Sequence, residues 1–220
     1  VKTEKLSHEG PFGVGYGVCV YETEGRAPKR DFLRQYEEKA AKERESRKAA
    51  EDDYVRLARQ TVETYVRTGR KIVVPEGLPD EMYNRRAGVF VSLKKEGQLR
   101  GCIGTIAPTR KNIAEEIIEN AISAAIKDPR FYAVRPEELA QLVYSVDVLG
   151  KTEKIDSKEV LDVKRYGVIV SRGYKRGLLL PNLDGVDTVE EQIEIARQKA
   201  GIPEDADDVR LERFEVVRHF

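Results

Sequence analysis

Leu99-Arg100-Gly101-Cys102-Ile103-Gly104-Thr105-Ile106-Ala107-Pro108 sets a lone cysteine and an arginine among two glycines and apolar residues. The stretch follows Val89-Phe90-Val91-Ser92-Leu93 across Lys95-Glu96-Gly97-Gln98, the pattern of a β-hairpin whose return strand carries the motif. Glycine weakens a strand and is expected inside one where another backbone or a ligand comes close. Strand alternation predicts Arg100, Cys102 and Gly104 on one face, with neighbours separated by about 6.6 Å. An arginine at that range favours the thiolate form of a cysteine, the form that acts as nucleophile or metal ligand.

Working outward, Tyr54, Leu57, Ala58, Val62 and Tyr65 share a helical face beginning near Asp52, and Gly69 offers a left-handed stop. Ile72-Val73-Val74 reads as a short β-like run. A second helix is predicted from Asn112 to Lys127, with Ile113, Ile117, Ala121 and Ala124 inward and Pro129 as its terminator. Val143 to Leu149 alternates like a strand with one solvated face, and Tyr166–Ser171 with Gly177–Leu180 reads as a strand pair around Arg172-Gly173-Tyr174-Lys175. Thr188 and Glu191 form a capping box for a helix running to Ala200, which Gly201 and Pro203 end, and Val209–Val217 reads as one final strand. Hairpins outnumber regular strand–helix alternation, so the expected class is α+β, a mainly antiparallel sheet with flanking helices.

At 220 residues the chain can bury one large core or two small ones. Its 39 basic and 39 acidic side chains cancel, which argues against a general nucleic-acid or membrane-surface binder. Cys19 and Cys102 are too few and too far apart for a disulfide scaffold or a zinc ribbon. The start lacks the apolar run of a signal peptide and no stretch reaches membrane-spanning length, so a cytoplasmic protein is expected. Charged residues form 35% of the chain, with one Met and no Trp, a balance that leans towards a heat-adapted source.

Three regions are expected: a tail over 1–27, a charged helical linker over 28–51 and a globular domain over 52–220. In the linker, Glu38 with Lys42 and Glu43 with Arg47 are spaced for helical ion pairs worth roughly 0.2–0.5 kcal/mol each. Residues 29–48 hold 8 basic and 5 acidic side chains; a solvated spacer accounts for them better than a nucleic-acid arm.

Leu99-Arg100-Gly101-Cys102-Ile103-Gly104-Thr105 resembles the signature of the AMMECR domain family. Asp128-Pro129-Arg130-Phe131, Tyr166-Gly167-Val168-Ile169-Val170, Gly177-Leu178-Leu179-Leu180-Pro181, Lys199-Ala200-Gly201 and Phe214–His219 agree with it, and the loop Pro181–Asp187 resembles the family's bacterial branch. The resemblance implies two unequal lobes with a cleft between them and the motif in the larger sheet; it implies no settled activity. A tryptophan common near the carboxyl end of other members is missing around Asp207 and Asp208, so an aromatic-lined pocket is not carried over.

Residues 7–21 resemble the end of class III extradiol dioxygenase-like domains, the Memo-related group, which in bacteria can precede an AMMECR domain in one polypeptide. That resemblance implies an upstream dioxygenase-like domain in a longer chain and a radical SAM partner protein. The dioxygenase-like iron site needs a whole domain, so His8 and Glu9 receive no metal role, and no cofactor is named.

The candidate ligand-binding residues are Arg100, Gly101, Gly104, Thr105, Arg130 and Asp147, around a cleft taking a small anionic ligand or a partner surface. Cys102 has two readings, a catalytic nucleophile or redox thiol and a small buried hydrophobe. A cysteine nucleophile normally wants a histidine, and the chain offers only His8 and the near-terminal His219. Arg130 reads equally as an anion binder or as a tie to Asp128, and Asp128 reads as a tie that holds its turn to the sheet. For Asp147 simple exposure is favoured over a cleft acid.

Overall fold

The computed structural model describes residues 2–9, 16–22, 31–183 and 185–220. In chain order, β1 (Lys2–Glu9), β2 (Tyr16–Glu22) and α1 (Phe32–Ala50) come first, then α2 (Asp53–Thr68), α3 (Asp80–Asn84), β3 (Val89–Lys95), β4 (Gln98–Gly104) and α4 (Ile113–Ile126). β5 (Leu142–Leu149), β6 (Glu153–Ile155), β7 (Gly167–Arg172), β8 (Lys175–Leu179), α5 (Val189–Ala200), β9 (Arg210–Phe214) and β10 (Val216–His219) follow. Val1–Arg47 and Lys48–Phe220 are two separate compact units.

In the first unit β1 and β2 pair antiparallel, from Lys2 opposite Glu22 to Glu9 opposite Tyr16. Residues 10–15 and 23–30 of the expected tail and linker lie outside the described residues, as do the side chains of His8 and Glu9. The helix α1 has no buried residue; its i,i+4 ion pairs among the described residues are Arg34–Glu38 and Lys39–Glu43 instead of the two expected from spacing, and Arg34 and Lys48 also pair with Asp31 and Glu63.

The second unit holds two antiparallel four-stranded sheets, ordered β10-β5-β3-β4 and β6-β9-β7-β8. α2 and α4 pack on one face of the first sheet, where Val89, Val91 and Leu93 of β3 meet Leu57, Ala58, Ile117 and Ala121 in one core. α5 packs on β7 and β8 around Val168, Val170, Leu179 and Ala196. A third cluster, Leu149, Ile169, Leu178 and Phe214, with Phe90, Ile106 and Leu180 against it, joins the sheets. The sheets are equal in strand number, so the inequality of the lobes lies in the helices and core of the first, not in a larger sheet.

Local signals account for most boundaries. Asp52 accepts from the backbone N–H groups of Tyr54 and Val55 to start α2, and Gly69 ends it at φ 70°. Asn112 caps α4, while Thr188 and Glu191 cap α5 reciprocally. The β3–β4 hairpin turns through Glu96 and Gly97, both at positive φ, as a two-residue loop of this twist requires.

Three expectations are corrected. Ile72–Val74 is not a strand; no neighbouring strand pairs with it, and Val73 is exposed. The final strand is two, broken at Glu215, so that β9 serves one sheet and β10 the other. α3 and β6 are too short to carry a periodic signal. Strand β5 is solvated on one face only in part: its helix-side positions are core, Val143 and Ser145 on the other side are half-buried, and Asp147 there is buried.

The two motif glycines are close-packing positions. A Cβ on Gly101 would stand 2.2 Å from the carbonyl oxygen of Ala124, so α4 lies directly on β4, and one on Gly104 would stand 2.2 Å from the Phe90 ring. Gly101→Ala is expected to destabilise the protein by about 1–3 kcal/mol through displacement of α4. Thermal unfolding measures this, and an unchanged midpoint would disprove the packing role.

Candidate functional site

The face of the first sheet turned away from α2 and α4 is set by register. Ser92 stands opposite Cys102 on one side and Ser145 on the other; Phe90 stands between Gly104 and Asp147, and Arg218 lies opposite Asp147. A cleft of about 520 Å³ lies over this face. The second lobe contributes Leu178, Leu180, Leu183, Arg176 and Lys199, and Arg130 reaches in from the turn after α4. The ordinary size of small-molecule pockets, about 300–1,000 Å³, includes this volume.

A register shift between Leu93 and Lys94 leaves Arg100 without a residue opposite: Gly101 faces Leu93, and Leu99 faces Lys94. Such a bulge reverses the alternation beyond it. Leu99 therefore joins Cys102 on the cleft wall, and Arg100 does not. Arg100 instead donates Nε and Nη2 to the two oxygens of Glu138, each at 3.0 Å, in the short 3-10 helix Pro136–Gln141. The hydrogen bond from Arg100 holds the Glu138 carboxyl down at about 2 against the opposing effect of burial.

The guanidinium beside the thiol belongs to Arg130. Asp128, 4% exposed, accepts from Cys102 N at 2.8 Å and from Arg130 N, Nε and Nη2 at 3.1, 2.9 and 2.7 Å. Arg130 Nη2 also donates to the Cys102 carbonyl at 3.2 Å. The Arg130 hydrogen bond, foremost, lowers the Asp128 carboxyl to about 2 although burial raises it. The Ser92 hydroxyl donates to Cys102 Sγ at 3.2 Å. Lys199, in the last turn of α5, has its ammonium pKa lowered by loss of solvent and by the charge of Arg130, against the opposing influence of Cys102.

The remaining candidates separate by what occupies their polar atoms. Thr105 is not free for a ligand: its hydroxyl donates to the buried Glu116 at 2.7 Å, which also accepts from Thr109 and Arg110. Gly101 faces Ala124, not the cleft, whereas Gly104 lines the cleft beside Phe90. Asp147 is buried rather than exposed, and its Oδ1 accepts from Arg218 Nε at 2.6 Å, a bond that anchors β10. His219 is no base for Cys102: its ring stacks on Tyr54 at 3.8 Å and its Nδ1 meets Asp52 Oδ2 at 2.5 Å. Among the described residues no group of three or more His, Cys, Asp or Glu is placed to hold a metal ion. No helix among them is long and apolar enough to cross a membrane.

Sequence reading missed Lys199, Ser92, Ser145 and Lys94 as cleft residues. Polar side chains at alternate positions of apolar strands were the available signal for Ser92 and Ser145, and the Lys199-Ala200-Gly201 motif was the signal for Lys199.

Asp128 and Glu138 link the site to acid stability. Both folded pKa values, about 2, lie below unfolded values of about 3.9 and 4.3. Their stabilisation is therefore complete above the unfolded values and is lost as pH falls from about 5 through 2. For Asp128 this amounts to about 2 kcal/mol. Urea midpoints followed across this window are expected to fall less in Asp128→Asn, itself less stable at neutral pH, than in the parent; parallel falls would contradict the assignment.

Residues 55–219 match the family model described as AMMECR1. A protein from Clostridium acetobutylicum is 52% identical over 219 residues, 99% of this chain but 46% of its own length, so the chain spans less than half of that relative. One from Thermotoga maritima is 54% identical over 170 residues, 77% of this chain and 98% of its own. The crystal structure of an uncharacterized protein from Pyrococcus horikoshii is similar at a TM-score of 0.70 and 36% identity, covering 75% of this chain and 88% of that one. The cleft, with Cys102, Arg130 and Lys199 around it, lies within the matched segment, and the chain belongs to the AMMECR1 family.

Proposed function

We propose that the cleft around Cys102 binds a small anionic ligand. One observation carries this reading: among the described residues, Lys94, Arg130, Arg176, Lys199 and Arg218 line the cleft with Asp147 as the one acidic side chain. Arg130, Arg176 and Arg218 are paired with Asp128, Glu212 and Asp147, whereas Lys94 and Lys199 have no ion-pair partner among the described residues. At an effective dielectric of 20, an anion about 4 Å from one ammonium gains about 4 kcal/mol before desolvation.

A second reading, an enzyme with Cys102 as nucleophile, draws on a different observation. The thiol lines the same cleft, with the Ser92 hydroxyl on its sulfur and Arg130 and Lys199 as neighbouring charges. Since His219 is engaged elsewhere, Lys199, the lysine whose charge acts on Cys102, is the group proposed to move a proton.

The domain is further proposed to work beside a dioxygenase-like domain and a radical SAM partner protein. In support stand the character of residues 7–21 and the length of the Clostridium relative beyond the matched segment.

Calorimetry with inorganic phosphate and acetate at low ionic strength tests the anion site. Lys199→Gln and Lys94→Gln are each expected to weaken binding about tenfold, and 0.5 M salt to weaken it further. Absence of binding to the parent protein would end the proposal. Alkylation of Cys102 tests the electrostatics independently. Lys199→Gln should slow anionic iodoacetate about threefold or more while changing neutral iodoacetamide little; equal effects on both reagents would show that Lys199 does not act on the thiol through its charge.

A further inference from the structure

The cleft differs in character along its length. Its cationic end lies at the row of Cys102, Ser92 and Ser145, where Arg130 and Lys199 converge and Lys94 stands one row further out. Two residues along β3, about 6.6 Å away, the floor changes to Phe90 and Gly104, with Asp147 and Arg218 closing their charges on each other at the β5–β10 side of that row. Beyond them Ile106, Leu178 and Leu180 line the cleft and join the apolar cluster where the two sheets meet.

Apolar groups at this end stay open to the cleft although a packed cluster lies directly behind them. Phe90, Ile106 and Leu180 are only partly buried in a protein whose β3 positions on the opposite face are wholly buried, and Leu183, half-buried against the core of the second lobe, adds a further apolar wall to the cleft. The absence of a side chain at Gly104 leaves the Phe90 ring to occupy that space: any Cβ there would meet the ring at 2.2 Å. Gly104 thus preserves a flat aromatic floor at the apolar end. A compact inorganic anion would satisfy the lysines and leave this half of the cleft wet.

We infer that the cleft takes an amphipathic anion, a molecule with a single carboxylate or phosphate head held by Lys199 and Lys94 near Cys102 and an apolar body lying over Phe90 towards Ile106, Leu180 and Leu183. This rests on the anion-site reading and narrows it to a substrate class. Arg130 keeps the head end ordered, since its guanidinium is already held by Asp128 and needs no rearrangement to receive a charge. Apolar burial then supplies the selectivity for the body, about fourfold in affinity for each methylene removed from water.

The test uses the whole chain and two homologous series, straight-chain carboxylates from acetate to decanoate and the matching alkyl phosphates, kept below their micelle concentrations, with inorganic phosphate and the neutral alcohols beside them. Affinity is expected to climb by about fourfold per methylene until the cleft is filled. The better head is identified by whichever series binds more tightly at equal chain length. Lys199→Gln should lower the affinity of every member by a similar factor, and Leu183→Ser should flatten the dependence on chain length while leaving inorganic phosphate unaffected. Binding of phosphate and acetate with no chain-length dependence would overturn the amphipathic ligand and leave the anion site standing. Alcohols binding as tightly as the acids would overturn the anionic head, and failure of every probe to bind would remove both proposals. The chain-length series is read on the parent protein, so the outcome does not depend on any variant folding.

Discussion

One buried carboxylate organises the site. Asp128 accepts from the Cys102 amide on the motif strand and from both the backbone and the guanidinium of Arg130, so a single side chain fastens the turn after α4 to β4 and aims Arg130 at the cleft. A carboxylate almost wholly removed from water is tolerated because its lone pairs are met by donors, two of them charged. The aim of Arg130 follows from it. Glu138 plays the matching part for Arg100, holding the other arginine of the motif region away from the cleft.

The cleft exists because strand β3 has two different faces. Val89, Val91 and Leu93 carry the apolar area that α2 and α4 cover, and this fixes the sheet's orientation. Phe90, Ser92 and Lys94 are thereby delivered to the other side, where the apolar cluster of the second lobe packs at the Phe90 end and α5 brings Lys199 towards the Cys102 end. Contact between the lobes at one end and charge at the other is the reason the space between them is open, graded in polarity and basic. The stability of the first lobe and the chemistry of the cleft are consequences of the same alternation.

Legibility in the sequence tracked the range of the interaction. Caps, helical faces and the tight hairpin depend on residues a few positions apart, and Asp52, Gly69, Asn112, Glu96-Gly97, Thr188 and Gly201 all behave as their local chemistry dictates. The glycines of the motif were legible as positions of close approach, although which neighbour approaches was not. Arg100 was misplaced because one extra residue in β4 reverses which side chains share a face, and a bulge leaves no mark in composition or period. Asp147 was misplaced for a related reason: its partner Arg218 lies 71 residues away on a strand that the sequence merges with its predecessor.

By itself the sequence determined the α+β class, the helix and hairpin boundaries, the close packing around the motif and the family, all of which rest on local hydrogen bonding, side-chain period and short motifs. Tertiary structure alone decided which charges face Cys102. Arg130, Lys199 and Lys94 come from the turn after α4, from α5 and from β3, and only sheet register and the meeting of two lobes bring them to one cleft. Electrostatic function depends on distances between residues remote in the chain, and those distances are set by packing, not by order of residues.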